Sequence, residues 1–88
     1  MKNDALMASF FCGADPLKLF GQRLVEIRKQ RGYSQERLAL ESGTARSYLS
    51  GVERGLRNIA VLNIYKLAET LGVPPSALLE PPTQQQKD

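Results

Sequence analysis

Residues 16–80 predict an all-α fold, a compact bundle of four to five short helices. Three observations carry that expectation. Apolar residues recur at three- and four-residue steps in separate stretches, so each set falls on one helical face. Residues suited to helix starts (Asp15 with Pro16, Ser34, Pro75) precede those stretches, and glycines follow most of them. No stretch alternates apolar with polar residues as a half-buried strand does, and no segment repeats.

The first helix and its stop read as residues 16–33. Asp15 can cap it and Pro16 fits its first position. Leu17, Phe20, Leu24 and Ile27 step round to make its core face. Arg23, Arg28, Lys29 and Arg31 read first as a solvated basic face. Gly32 ends the helix, and Tyr33 is expected to anchor the first helix to the second.

Residues 34–55 read as two short helices around a tight turn. Ser34 stands where a hydroxyl can accept from a free N–H of the first turn. Leu38 and Ala39 are the apolar positions of this second helix, and Gly43, able to take positive φ, ends it. Thr44 is placed to cap the third helix, Leu49 and Val52 give that helix one buried stripe, and Gly55 closes it. Arg46, Ser47, Ser50 and Arg54 are left for the outside. A short helix, a glycine-containing turn and a second helix with a polar, basic outer face form a helix-turn-helix, the arrangement that enters a DNA major groove.

In the fourth helix, Val61, Ile64, Leu67, Ala68 and Leu71 form the expected core stripe, and Gly72 stops it. Asn58 is a candidate to cap this helix, because Ala60 offers no side-chain acceptor. Pro75 opens a short fifth helix to Glu80, with Leu78 and Leu79 packing inward or across a dimer. Ile59, Leu62 and Tyr65 fall off the core stripe. With Pro75, Leu78 and Leu79 they are read as a subunit interface rather than scattered surface apolars. Residues 81–88, with two prolines and three glutamines, read as a disordered polar tail.

Residues 1–15 read as an N-terminal extension. The apolar stretch Ala5–Ala14 is too short to span a bilayer, which takes about 20 residues. Only Lys2 precedes it, Asp4 cancels that charge, and no clean cleavage site follows, so a signal peptide is not expected and the chain reads as cytoplasmic. Leu6, Met7, Phe10 and Phe11 either pack on the domain or a second subunit, or belong to a frayed arm.

Eighty-eight residues make one domain near the lower end of what buries a self-sufficient core, which favours dimerisation. Apolar residues at 42% exclude a disordered chain, and a net charge of +3 suits an anionic partner. The lone Cys12 allows no internal disulfide and reads as a small apolar residue. With no histidine, no metal centre or cofactor is expected. No nucleophile stands beside a base and no glycine loop cradles phosphate, so catalytic residues, and an enzyme, are not expected either.

Ser34-Gln35-Glu36-Arg37-Leu38-Ala39, Gly43, Ser47-Tyr48-Leu49-Ser50 and Val52-Glu53-Arg54-Gly55 together resemble the phage-repressor-like (XRE) helix-turn-helix family over residues 17–79. The run Arg46-Ser-Tyr-Leu-Ser-Gly-Val-Glu-Arg, followed by Arg57-Asn58, is similar to the controller proteins of restriction–modification systems. The resemblance implies a DNA-binding regulator of transcription. It also implies that Arg28 pairs with Glu53 in a structural ion pair, and that Gln35 reaches a backbone phosphate. The N-terminal position of Gln35 on the second helix independently favours a phosphate there.

Arg46, in the first turn of the recognition helix, is the main candidate for base readout, since arginine grips guanine O6 and N7 through two hydrogen bonds. Ser47 faces a base edge or a phosphate. Gln35, Thr44, Tyr48, Ser50, Arg54, Arg57 and Asn58 are candidates for the DNA backbone. For Tyr48 a partly packed ring with its hydroxyl on the backbone is one reading, and for Arg57 a base contact is the other. Gly51 weakens the helix by about 1 kcal/mol relative to alanine. It allows close approach to the groove and also removes a possible base contact. The expected function is sequence-specific binding of duplex DNA by a homodimer on a palindromic operator. An antitoxin-like or other protein-interaction module is the alternative.

Overall fold

A computed structural model of the chain describes residues 15–83. Among these residues there are five helices and no strand: α1 (Pro16–Gln30), α2 (Gln35–Ser42), α3 (Arg46–Glu53), α4 (Val61–Leu71) and α5 (Pro75–Leu79). The readings made for Leu6, Met7, Phe10, Phe11 and Cys12, and for residues 84–88, lie outside the described residues.

Local chemistry sets the helix ends. Asp15 Oδ1 accepts from the Leu17 amide at 2.9 Å, and Ser34 Oγ accepts from the Arg37 amide at 3.0 Å. Each satisfies one of the unpaired donors of a first turn. Helix α2 ends where Gly43 takes φ +74°, with the Gly43 amide on Leu40 O at 3.3 Å and the Thr44 amide on Ala39 O at 2.9 Å. The same pair of bonds closes α1, α3 and α4.

Two capping expectations are corrected. Thr44 does not cap α3. Its amide is already used to close α2, the helix starts a residue later at Arg46, and the cap position falls to Ala45, which makes no side-chain bond. The Thr44 hydroxyl lies 3.0 Å from Ser42 Oγ inside the turn. Asn58 does not cap α4. Its Oδ1 accepts from the neighbouring Ile59 amide at 2.9 Å, and Ala60 at the cap makes no side-chain bond.

The core gathers Leu24 and Ile27 from α1, Leu38 and Ala39 from α2, and Leu49 and Val52 from α3. Ile64, Leu67, Ala68 and Leu71 from α4 and Leu78 from α5 complete it. Burying each large aliphatic side chain contributes about 1.5–3 kcal/mol. Helix α1 packs on α3 and α5, α2 on α3 and α4, and α4 on α5. Leu78 is therefore corrected as an interface residue. It is 0% exposed, on the face of α5 that meets α1 and α4, and no second subunit can reach it. Val61 is corrected the other way. It stands at the first position of α4, one turn before the buried stripe begins at Ile64, and is 68% exposed.

Long-range ties at both ends of the bundle hold the helices in register. Arg23, buried in α1, donates from Nε to Ala77 O at 2.7 Å and pairs with Glu26 and Glu80 at 3.1 and 3.3 Å. Thr83 donates from its amide and hydroxyl to the Glu26 carboxylate at 3.0 and 2.9 Å, fastening the chain beyond α5 to α1. At the other end, Arg31 Nε donates to Leu71 O at 2.9 Å and the Tyr33 hydroxyl to Thr70 O at 3.1 Å. Tyr33 thus ties α1 to α2, whose Arg37 stacks over its ring, and also to α4, where its hydroxyl reaches a free C-terminal carbonyl.

Helix α1 crosses α3 at Gly21. A Cβ there would strike Glu53 O and lie 2.6 Å from Val52 O, both backbone atoms at the end of α3. Gly21→Ala is accordingly expected to lower stability by about 1–3 kcal/mol, read as a fall in the urea midpoint followed by circular dichroism. An unchanged midpoint would show that the two helices separate freely.

Candidate nucleic-acid interface

The turn Gly43–Thr44–Ala45 sets α3 against α2 with Leu49 and Val52 buried beneath it. That packing decides what α3 shows outward. Arg46, Ser47 and Arg54 are exposed, and Ser50 and Gly51 are half-buried. Arg57 and Asn58 follow on the exposed loop. Between Gly43 and Ala60 the chain holds one acid, Glu53, and its side chain is only 5% exposed. Among the described residues, Arg46, Arg54 and Arg57 enter no ion pair. The outward surface of α3 and its loop is thus cationic, with its only acid turned inside.

Glu53 sits at the junction of the first three helices. Arg28 Nε donates to its Oε2 at 2.6 Å and Arg28 Nη2 to its Oε1 at 3.0 Å, a bidentate pair in which the arginine side chain is 12% exposed. Arg28 Nη1 also donates to Tyr33 O at 3.0 Å. Gln35, the first residue of α2, donates from Nε2 to Glu53 Oε1 at 2.9 Å. A carboxylate only accepts, so the pair fixes which end of the Gln35 amide faces inward. The Gln35–Glu53 bond was not foreseen, since spacing does not relate residues on two different helices.

Tyr48 is held by its own chain. Its half-buried ring lies against the core, its hydroxyl donates to Asn58 O at 3.3 Å and accepts from Asn63 Nδ2 at 3.2 Å. The Arg57 guanidinium carbon lies 5.3 Å from the centre of that ring. Asn63, missed in the sequence, ties α4 into this cluster. Thr44 is half-buried, with its hydroxyl on Ser42. On the outer face of α2, Arg37 stacks 4.2 Å over the Tyr33 ring and bonds Glu41 at 2.9 Å. That hydrogen bond holds the Glu41 carboxyl below the ordinary carboxylate range.

A second surface is apolar. Leu62, Tyr65 and Leu79 are largely exposed on α4 and α5 at 66%, 59% and 64%, and Val61 stands with them in exposure. Pro75 and Ile59 are half-buried, Ile59 packing on the core. Val61 was placed in the core by its three-residue step to Ile64. No group of three or more metal-ligating side chains occurs among the described residues, and no helix there is long and apolar enough to cross a membrane.

The helix-turn-helix family model (HTH_3) matches residues 24–78, from the middle of α1 into α5. Control protein C.BamHI of Bacillus amyloliquefaciens is 46% identical over 63 residues, covering 70% of this chain and 78% of that protein. The crystal structure of the restriction–modification controller protein C.AhdI from Aeromonas hydrophila is 55% identical with a TM-score of 0.69, over 70% of this chain and 94% of that one. SinR, a master regulator for biofilm formation solved in complex with DNA, is 40% identical with a TM-score of 0.66, over 69% of this chain and 98% of that one. The chain belongs to the XRE-type helix-turn-helix family (HTH_3), a family of DNA-binding transcriptional regulators and not of enzymes.

Proposed function

We propose that this regulator acts in the cytoplasm as a homodimer on a palindromic DNA operator, with residues 16–80 as the binding unit, residues 1–15 as an extension and 81–88 as a tail. The observation that carries the reading is the cationic outer surface of α3 and its loop, with Glu53 turned inside. Arg46 and Ser47, in the first turn of α3, read base edges. Gln35, Thr44, Tyr48, Ser50, Arg54 and Asn58 line the backbone and set register, and Arg57, on the loop after α3, reaches a phosphate or a base. Because controller proteins of restriction–modification systems stand among its relatives, the operator is taken to govern its own gene and that of a restriction endonuclease.

The apolar surface of Leu62, Tyr65, Leu79, Pro75 and Ile59 joins the two copies, and the two recognition helices then enter successive major grooves about 34 Å apart. Leu62→Glu would place unpaired carboxylates in that interface at about 3–5 kcal/mol. It is expected to shift the protein from dimer to monomer in analytical sedimentation while leaving its helix content unchanged. A surviving dimer would place the interface elsewhere.

Salt dependence tests the DNA reading itself. Several phosphate contacts make the affinity for duplex DNA fall steeply and log-linearly with salt concentration. Affinity indifferent to salt would instead favour a protein-interaction module.

A further inference from the structure

We propose that Gly51 is a specificity-determining position. Its missing side chain lets Arg57 lie along the outward face of α3, where the guanidinium reads base edges beside Ser47. The inference rests on the DNA-binding reading above and adds a residue to it.

The geometry begins with the floor. A Cβ on Gly51 would overlap Arg57 Cγ and stand 3.3 Å from its Cδ and 3.5 Å from its Cβ, so the arginine stem occupies the space that any other residue would fill. The loop is folded back to bring it there, with the Leu56 amide on Gly51 O at 2.9 Å. Ser47 and Gly51, four residues apart, share one helical face, so the stem is laid on the face that Ser47 begins. The far end of the side chain is steadied by the Tyr48 ring, 5.3 Å from the guanidinium carbon. That ring is itself fixed through its hydroxyl to Asn58 O and Asn63. A residue from the loop thereby takes the place on the recognition helix that residue 51 leaves open. It brings a planar cation with paired donors, the group best matched to a guanine edge.

The obvious substitution keeps the fold. The atom displaced by a new Cβ belongs to a flexible exposed side chain, not to backbone, and alanine is a better helix former than glycine. Gly51→Ala is therefore expected to keep the fold, read as an unchanged circular dichroism spectrum, while pushing Arg57 off the helix.

The test compares the wild type, Gly51→Ala, Arg57→Ala and the double variant. Each is selected on a randomised duplex pool and then titrated on the selected site and its single-base variants. Gly51→Ala and Arg57→Ala are expected to lose about tenfold discrimination at the same base pair of each half-site. The double variant should lose no more than Arg57→Ala alone. Preferences owed to Arg46 should be retained throughout. A Gly51→Ala protein with wild-type preference at every position overturns the proposal, as does a double variant whose loss is the product of the two single losses. A wild type that selects no site overturns the operator reading, and this proposal with it. That result is distinct from a selected site that residue 51 does not alter.

Discussion

Glu53→Ala is expected to remove a large share of the stability of the fold, about 3–5 kcal/mol. The substitution leaves the Arg28 guanidinium, 12% exposed, with the Tyr33 carbonyl as its remaining partner. It also frees the Gln35 amide that Glu53 holds. Three helices meet at this carboxylate, so the loss is felt by α1, α2 and α3 together. A chain of 88 residues has a total stability of roughly 4–13 kcal/mol, so the loss amounts to at least about a quarter of the total and the urea midpoint should fall steeply. Urea denaturation followed by circular dichroism reads this directly. Replacing both partners with apolar residues, Arg28→Met with Glu53→Leu, should cost much less, because no buried charge is stranded. Equal losses from the single and double replacements would mean that packing, not charge, holds the junction.

Arg46→Ala is the change expected to alter DNA recognition most. Arg46 is exposed, outside the core and in no ion pair among the described residues, so its removal leaves the fold intact. One bidentate arginine–guanine contact discriminates by about 1–3 kcal/mol, and a dimer makes it twice. The ratio of operator to random-DNA affinity should therefore fall by two to four orders of magnitude or so, with circular dichroism and thermal midpoint unchanged. Competition titrations against random duplex measure the ratio. An unchanged ratio would remove Arg46 from base readout.

The parts of the fold that depend on near neighbours were legible in the sequence. Asp15 and Ser34 meet amides two and three residues away, and Leu24, Leu38, Leu49 and Leu67 mark core faces by spacing alone. Val61 and Leu78 were misplaced because spacing gives the phase of a helix but not where its neighbours begin and end. Val61 precedes the layer it was assigned to, and Leu78 points into a gap that only α1 and α4 together define. Thr44 was misread because the end of α2 and the start of α3 compete for the same residue, and the closing bonds of α2 take it. In the candidate site, the outward placement of Arg46 and Ser47 follows from the buried positions of Leu49 and Val52. The contacts Gln35–Glu53, Tyr48–Asn63 and Arg57 over Gly51 bring together residues from separate elements. Such contacts leave no periodic trace in a single sequence, and the Arg28–Glu53 pair was suggested by family resemblance rather than by spacing.

Selection of sites from a randomised duplex pool at two salt concentrations distinguishes a dimeric operator binder from a monomeric or non-specific one. A dimeric binder should yield a palindromic motif with half-sites about one helical turn apart, enriched at both concentrations and bound more weakly at the higher one. Weak salt-sensitive binding with no enriched motif, or a single unpaired half-site, would contradict it.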